Sequence, residues 1–200
     1  MILPPLGLAY IAGYLRGNGI DVQVLDLAAL RLTDEQEKEA IRKSGADFVA
    51  LAATTNTIME AYALAKKAKE VLPNCKVAVG GPHPTMMPER TLQEFPEIDY
   101  CIVSEAEETT LELAQEKKDK DILGISYRDK KGNIKVNMPR TLIQNLDKLP
   151  FPARDLLPLE KYWTPGVRRY PFATIMTSRG CPYSCTFCSN FRTQGKQFRY

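Results

Sequence analysis

The chain has 200 residues, of which 44% are hydrophobic and 26% charged, and a net charge of +3. That is enough for one domain and part of another, with a balance ordinary for a soluble globular protein. The weak positive charge argues against a dedicated nucleic-acid binder, no apolar run is long enough to span a bilayer, and no signal peptide is present, so the cytoplasm is the default expectation.

Met1-Ile-Leu-Pro-Pro-Leu-Gly-Leu8 is a loop leading at once into a helix. A doubly wound domain would place its first strand before such a loop, and that strand is expected to be missing. Apolar residues at Leu8, Ile11, Ala12 and Leu15 predict a helix over Leu6 to Arg16, stopped by Gly17-Asn-Gly19. Val22-Gln-Val-Leu25 reads as a short strand ending at Asp26. Thr33 with Gln36 three residues on is a capping box, opening a polar helix to about Ser44. Asp47-Phe-Val-Ala-Leu-Ala-Ala53 is almost continuously apolar, as expected of a central parallel strand buried on both faces.

The polar loop Thr54-Thr-Asn-Thr57 precedes a helix over Ile58 to Leu72 that Pro73 stops. Lys76–Val79 predicts the next strand, followed by Gly80-Gly81, a proline-rich loop and a short helix near Glu89–Glu94. Tyr100–Val103 predicts a strand and Glu107–Gln115 a helix; Ile125–Arg128 and Ile134–Val136 flank Lys131-Gly-Asn133 as a hairpin. Short alternation of strand and helix makes residues 1–137 an α/β unit, doubly wound with a mostly parallel sheet. Prolines at 139, 150, 152, 158 and 165 mark residues 138–170 as an extended connector. Phe172–Thr177 then predicts a new strand, which opens a segment running from 171 to 200.

Five cysteines fall into two groups. Cys75 and Cys101 sit in strand-like apolar contexts and read as small buried hydrophobes. Cys181, Cys185 and Cys188 have the spacing C-x3-C-x2-C, directly after Arg179-Gly180. Three thiolates on one tight loop can each ligate one iron of a cubane and leave the fourth iron open to a small molecule. A structural zinc site would want four closed ligands, and the only histidine, His83, is far away in sequence. A zinc-stabilised binding protein without enzymatic activity is the rival reading of this triad.

This motif resembles that of the radical S-adenosylmethionine superfamily, in which the cysteine loop follows the first strand of a β/α barrel and an aromatic precedes the last cysteine, here Phe187. The resemblance implies a 4Fe-4S cluster that binds and cleaves S-adenosylmethionine, an electron donor such as flavodoxin or ferredoxin, and a small-molecule substrate. It also implies that residues 171–200 are the truncated start of the barrel, and that a piece of this length would be inactive as a catalyst. Pro4-Pro-Leu-Gly-Leu-Ala-Tyr10, Gly80-Gly-Pro-His-Pro84, Leu149-Pro-Phe-Pro-Ala-Arg-Asp155 and the triad, in that order, are similar to the cobalamin-binding members of the superfamily. These include the anaerobic magnesium-protoporphyrin monomethyl ester cyclase group and class B methyltransferases.

By that resemblance the α/β unit is Rossmann-like and holds cobalamin at its strand ends, for methyl transfer or radical cyclisation. Thr54, Thr55, Thr57, Gly80 and Gly81 would line the nucleotide tail. His83, between two prolines, reads first as a satisfied loop histidine or a cofactor-side contact that supports a ligand, and second as a cobalt ligand. The D-x-H-x-x-G motif that supplies a lower axial histidine elsewhere is absent, and Ser104-Glu-Ala-Glu107 stands where members often carry glycines. A radical enzyme whose α/β unit does not bind cobalamin is the alternative. Arg192, Lys196 and Arg199, interleaved with Phe191, Phe198 and Tyr200, form a mix that can bind nucleic acid, but in this context they read as the start of the barrel's first helix and its solvated face.

Overall fold

The computed structural model describes residues 1–200. Its centre is one five-stranded sheet in the order β1 (Phe48–Ala52), β2 (Lys76–Gly80), β3 (Tyr100–Ile102), β4 (Ile125–Arg128), β5 (Ile134–Val136). β1, β2 and β3 run parallel, whereas β4 and β5 form the antiparallel hairpin expected at Lys131-Gly-Asn133. The sheet is therefore mixed, with a parallel half and an antiparallel half.

Helices cover both faces, which makes the unit doubly wound and Rossmann-like. α1 (Leu6–Gly17), the one-turn α2 (Leu27–Leu30), α3 (Asp34–Ser44) and α4 (Ile58–Val71) come first, and α3 opens with both hydrogen bonds of the Thr33–Gln36 capping box. Ala61, Ala65 and Ala68 of α4 fall on one stripe, and their small side chains let the helix sit close to the sheet. Period-two alternation then divides β2 between layers. Val77 and Val79 pack with α4, Leu92, Phe95 and Ile98 on one face, while Ala78 packs with Ile102, Leu113, Ile122 and Ile125 on the other. Each such large apolar side chain contributes about 1.5–3 kcal/mol when fully buried. Cys75 and Cys101 are buried as expected, and burial pushes the Cys101 thiol up to about 12.

The proline-rich loop after β2 is more ordered than the sequence suggests. It forms α5 (Pro82–Met86), with a proline in its first turn, followed by α6 (Pro88–Glu94). Proline suits the first helical turn because its missing N–H is unpaired there in any case. α7 (Glu107–Ala114) follows β3, and α8 (Asn190–Thr193) follows the cysteine loop. No helix is long and apolar enough to cross a membrane.

Three strand expectations are corrected. Phe48–Ala52 is not a central strand: it is the edge of the sheet, with Phe48 to Leu51 half-buried and Ala52 exposed. Val22–Leu25 and Phe172–Thr177 belong to no ladder, although exposure alternates residue by residue along both segments. The physical reason is common to all three. An extended chain becomes a strand only through a hydrogen-bonded neighbour, and among these 200 residues no neighbouring strand lies beside Val22–Leu25, beside Phe172–Thr177 or on the outer edge of β1.

The connector follows α1 rather than wandering. The Ala153 amide donates to the Ala9 carbonyl at 2.8 Å, and Arg16 forms a two-armed ion pair with Asp155. Gly13 allows the close pass, since a Cβ there would sit 2.5 Å from the Phe151 carbonyl oxygen. Further along, Tyr162 is buried and donates to Asp26 at 2.8 Å.

These contacts separate two glycines of one helix. A Cβ at Gly7 meets nothing within 4 Å, so Gly7→Ala should raise stability by about 0.5–1 kcal/mol. Gly13→Ala should instead lower it by about 1–3 kcal/mol through the clash with the connector backbone. Urea midpoints of the two variants check both signs.

Candidate functional site

Because β1, β2 and β3 are parallel, their C-terminal ends open onto one edge, where doubly wound sheets place ligands. The loop after β1 carries Thr54, Thr55 and Thr57, all exposed. Thr57 Oγ1 accepts from the Thr54 amide at 3.0 Å and lies 3.2 Å from the Thr54 hydroxyl.

The loop after β2 is stitched to that one. The His83 amide donates to the Ala53 carbonyl at 3.3 Å, and His83 Nδ1 lies 3.2 Å from Thr55 Oγ1. His83 is buried, and burial, the largest influence on it, holds its pKa below the ordinary value despite Glu94, so the ring is neutral at neutral pH. A neutral imidazole is the metal-binding form, but here its Nδ1 is engaged in tying two loops together. Gly81 has φ +103, and a Cβ there would stand 2.7 Å from the Ala53 carbonyl oxygen. The turn and the close approach to β1 both require glycine at 81. At Gly80 a Cβ would meet only Ile102, at an ordinary 3.7 Å.

The loop after β3 completes the edge. Ser104 has φ +71, the left-handed conformation that favours glycine. Its amide donates to Thr85 Oγ1 at 3.0 Å and its hydroxyl donates to the Thr193 carbonyl at 2.7 Å. The β3 loop thus contacts both the β2 loop and the segment after the cysteines.

The cysteine loop is closed at its base and open at its tip. Arg179 and Arg199 exchange backbone hydrogen bonds at 2.9 and 2.8 Å, and the Cys181 amide donates to the Gly195 carbonyl at 3.0 Å. Gly180, at φ +93, faces the Gln197 backbone so closely that no Cβ fits. The Asn190 amide donates to Cys188 Sγ at 3.4 Å, the kind of contact that tunes sulfur ligands. Cys185 and Phe187 are exposed, Phe187 at 91%. The three thiols share the loop without converging as a metal-ready group. Their donor chemistry suits a cluster, and binding one would draw the sulfurs together.

What holds this loop against the sheet is a buried charge cluster that the sequence reading did not identify. Arg179 donates to Glu105 at 3.1 Å and to Glu107 at 2.5 Å, while Arg199 reaches Glu105 at 3.0 Å. All four side chains are at most 7% exposed. Burial opposes the Arg179 charge, but hydrogen bonds and charges from Glu107 and Glu105 outweigh it and raise the guanidinium's pKa. Arg199 also donates to the Ile143 and Gln194 carbonyls. The reading of Arg199 as part of a solvated face is therefore corrected: the opposed carboxylate makes its burial possible. The sequence offers only a partial hint, an arginine set between Phe198 and Tyr200 and two acids in the loop region after β3, with nothing in it to bring the two together.

The B12 binding domain family matches residues 1–114. An uncharacterized methyltransferase of Pyrococcus horikoshii is 44% identical to the chain, covering 98% of it and 42% of the relative. An anaerobic magnesium-protoporphyrin IX monomethyl ester cyclase of Rubrivivax gelatinosus is 32% identical, over 94% of this chain and 35% of its own length. A cytidylyl-2-hydroxyethylphosphonate methyltransferase of Streptomyces wedmorensis is 28% identical, over 98% and 45%. The chain thus spans less than half the length of these relatives. Among solved structures, OxsB, a cobalamin-dependent S-adenosylmethionine radical enzyme with aqua-cobalamin and S-adenosylmethionine bound, has the same fold over 98% of this chain and 27% of its own, with a TM-score of 0.79 and 24% identity.

Removing Glu105 leaves two buried guanidinium groups facing each other without their shared partner. Glu105→Ala should cost about 3–5 kcal/mol and release the C-terminal segment, so that limited proteolysis cuts between 171 and 199 at protease levels that spare the parent chain.

Proposed function

The chain belongs to the B12-binding domain family, and on that premise we propose that its strand-end loops hold cobalamin and that the whole protein is a cobalamin-dependent radical S-adenosylmethionine enzyme of methyltransferase or cyclase type. One observation carries the reading. The buried ion pairs Arg179–Glu105 and Arg179–Glu107 fasten the base of the cysteine loop to the loop after β3, on the edge where β1 and β2 present Thr54, Thr57 and Gly81. Relatives named as methyltransferases and as cyclases support the enzyme class, and the OxsB likeness supports the fold.

In this reading the residues divide the work. The hydroxyls of Thr54, Thr55 and Thr57 offer donors and acceptors to the polar tail of the corrinoid, and the Thr54–Thr57 contact presets their orientation. Gly81 keeps the β2 loop drawn against Ala53, and with Gly80 it would offer the ligand backbone that no side chain blocks. His83 positions Thr55 rather than meeting cobalt. Cys181, Cys185 and Cys188 would hold the cluster, the Asn190 amide is hydrogen-bonded to the Cys188 sulfur, and the exposed Phe187 next to Cys188 would be free to contact the bound cofactor. When bound, the cluster supplies one electron to cleave the sulfonium of S-adenosylmethionine, and cobalamin supplies a methyl carrier or redox partner. The electron would come from a small flavodoxin- or ferredoxin-type protein, and the substrate would be a small molecule.

Hydroxocobalamin titration of the anaerobic chain tests the proposal. The expected result is saturation at one corrinoid per chain. Thr54→Arg places a bulky cation on an exposed loop residue and should weaken binding at least about tenfold, ~1.4 kcal/mol, with an unchanged urea midpoint. Reconstitution with iron and sulfide should yield about four irons per chain, and Cys185→Ala should lose them. No saturable corrinoid binding, or tight stoichiometric zinc in place of iron, would contradict it.

A further inference from the structure

Three residues other than glycine have a left-handed backbone: Arg31, Ser104 and Glu116. Arg31 and Glu116 stand at the C-terminal ends of α2 and α7, where that conformation is ordinary. Ser104 ends no helix. It follows β3 at φ +71, a conformation that a Cβ disfavours and that glycine takes without strain. Strain of this kind points to a function in whatever the strained residue supplies, and what serine supplies over glycine is a hydroxyl.

That hydroxyl donates to the Thr193 carbonyl at 2.7 Å. It makes the one hydrogen bond between residues 181–196 and any residue before Gly180. The clamp acts at Arg179 and Arg199, so it holds the base of the cysteine loop and not the stretch between. Cys181 is tied to that base, because its amide donates to the Gly195 carbonyl at 3.0 Å. Cys188 is tied through α8. The Asn190 amide donates to the Cys188 sulfur at 3.4 Å, the Thr193 amide donates to the Ser189 carbonyl at 3.2 Å, and the Thr193 carbonyl is the one that Ser104 holds. Cys185, exposed at the tip, is linked only to Cys188, whose amide donates to its carbonyl.

We propose that Ser104 is a positioning residue for the iron–sulfur cluster: its hydroxyl anchors α8, and with it the Cys188 thiol, to the loops at the strand ends. The cluster part of this inference rests on the proposed function, whereas the anchoring part rests on the hydrogen bonds alone. With Cys181 held by the base and Cys188 held by Ser104, two of the three thiolates are placed before iron arrives. Loading then draws in Cys185. Ligands held in advance remove part of the ordering cost of binding. The anchor itself is fixed, since the Ser104 amide donates to Thr85 Oγ1 of α5 at 3.0 Å and α5 packs against α8.

Three variants separate the hydroxyl from the backbone. Ser104→Gly and Ser104→Ala both remove the hydroxyl, the first relieving the strain and the second keeping the Cβ. Ser104→Asn keeps a side-chain donor on a residue that tolerates the left-handed backbone. Two quantities are read for each: amide hydrogen exchange of the iron-free chain, and loss of iron from the anaerobically reconstituted chain to a ferrous chelator. Ser104→Gly and Ser104→Ala should speed exchange of the Arg192, Thr193 and Gln194 amides at least about tenfold, with β1, β2 and β3 as protected as in the parent chain. Iron loss should quicken by a similar factor. Ser104→Asn should return both readings to within about threefold of the parent.

Unchanged exchange in both hydroxyl-free variants overturns the proposal. So does faster exchange in Ser104→Ala alone, which assigns the effect to backbone strain, and so does deprotection spread across β1, β2 and β3, which makes the serine a general stability residue. Ser104→Asn behaving like Ser104→Ala also counts against the hydroxyl as the anchor. Faster exchange of α8 with unchanged iron loss overturns the positioning role and leaves the proposed function standing. A parent chain that takes up no iron overturns the proposed function and the cluster part together, while exchange of α8 still decides whether Ser104 is the anchor.

Discussion

Glu105 accepts from two arginines that approach it from opposite ends of one loop. Arg179 precedes the cysteines and Arg199 follows them, and both guanidinium groups converge on the same carboxylate. Taking such charges out of water costs several kcal/mol per ion, so the arrangement survives only because its charges balance. Glu107 supplies the second negative charge, and the Ile143 amide uses a further lone pair of Glu105. The result is a clamp. It closes the base of the cysteine loop, fixes that base on the β3 loop and leaves the tip, with Cys185 and Phe187, in solvent.

The clamp matters because of where β3 ends. Parallel pairing of β1, β2 and β3 brings three loops to one edge, and hydrogen bonds link them in series, from Ala53 and Thr55 through His83 and from Thr85 to Ser104. Ser104 then passes the connection to Thr193. From Thr54 to the segment after the cysteines, the edge behaves as one tethered surface. Tyr10 of α1 adds a further tie, its ring 5.5 Å from the Arg179 guanidinium.

Local chemistry was the part of the fold legible in the sequence. The capping box at Thr33, the helix that Pro73 stops, the hairpin at Lys131-Gly-Asn133 and the buried Cys75 and Cys101 each depend on near neighbours in sequence, and each is found where expected. Val22–Leu25 and Phe172–Thr177 were misread because strand status belongs to a pair of segments, not to one. The site shows the same division. C-x3-C-x2-C carries its chemistry in its spacing. The clamp joins residues more than seventy positions apart, and no local pattern encodes that distance. Gly80 and Gly81 looked equivalent in sequence, but only Gly81 has a left-handed backbone and a carbonyl where its Cβ would stand.

The central claim is that the strand-end loops and the cysteine loop face one shared space at the C-terminal edge of the parallel strands. Anomalous diffraction tests it directly, on crystals of the anaerobically reconstituted chain grown with hydroxocobalamin. The account predicts one cobalt peak above the loops at Thr54–Thr57 and Gly80–His83, and an iron peak at Cys181–Cys188 on the same side of the sheet. A cobalt peak at the opposite end of the strands, or iron and cobalt on opposite sides of the sheet, would contradict it.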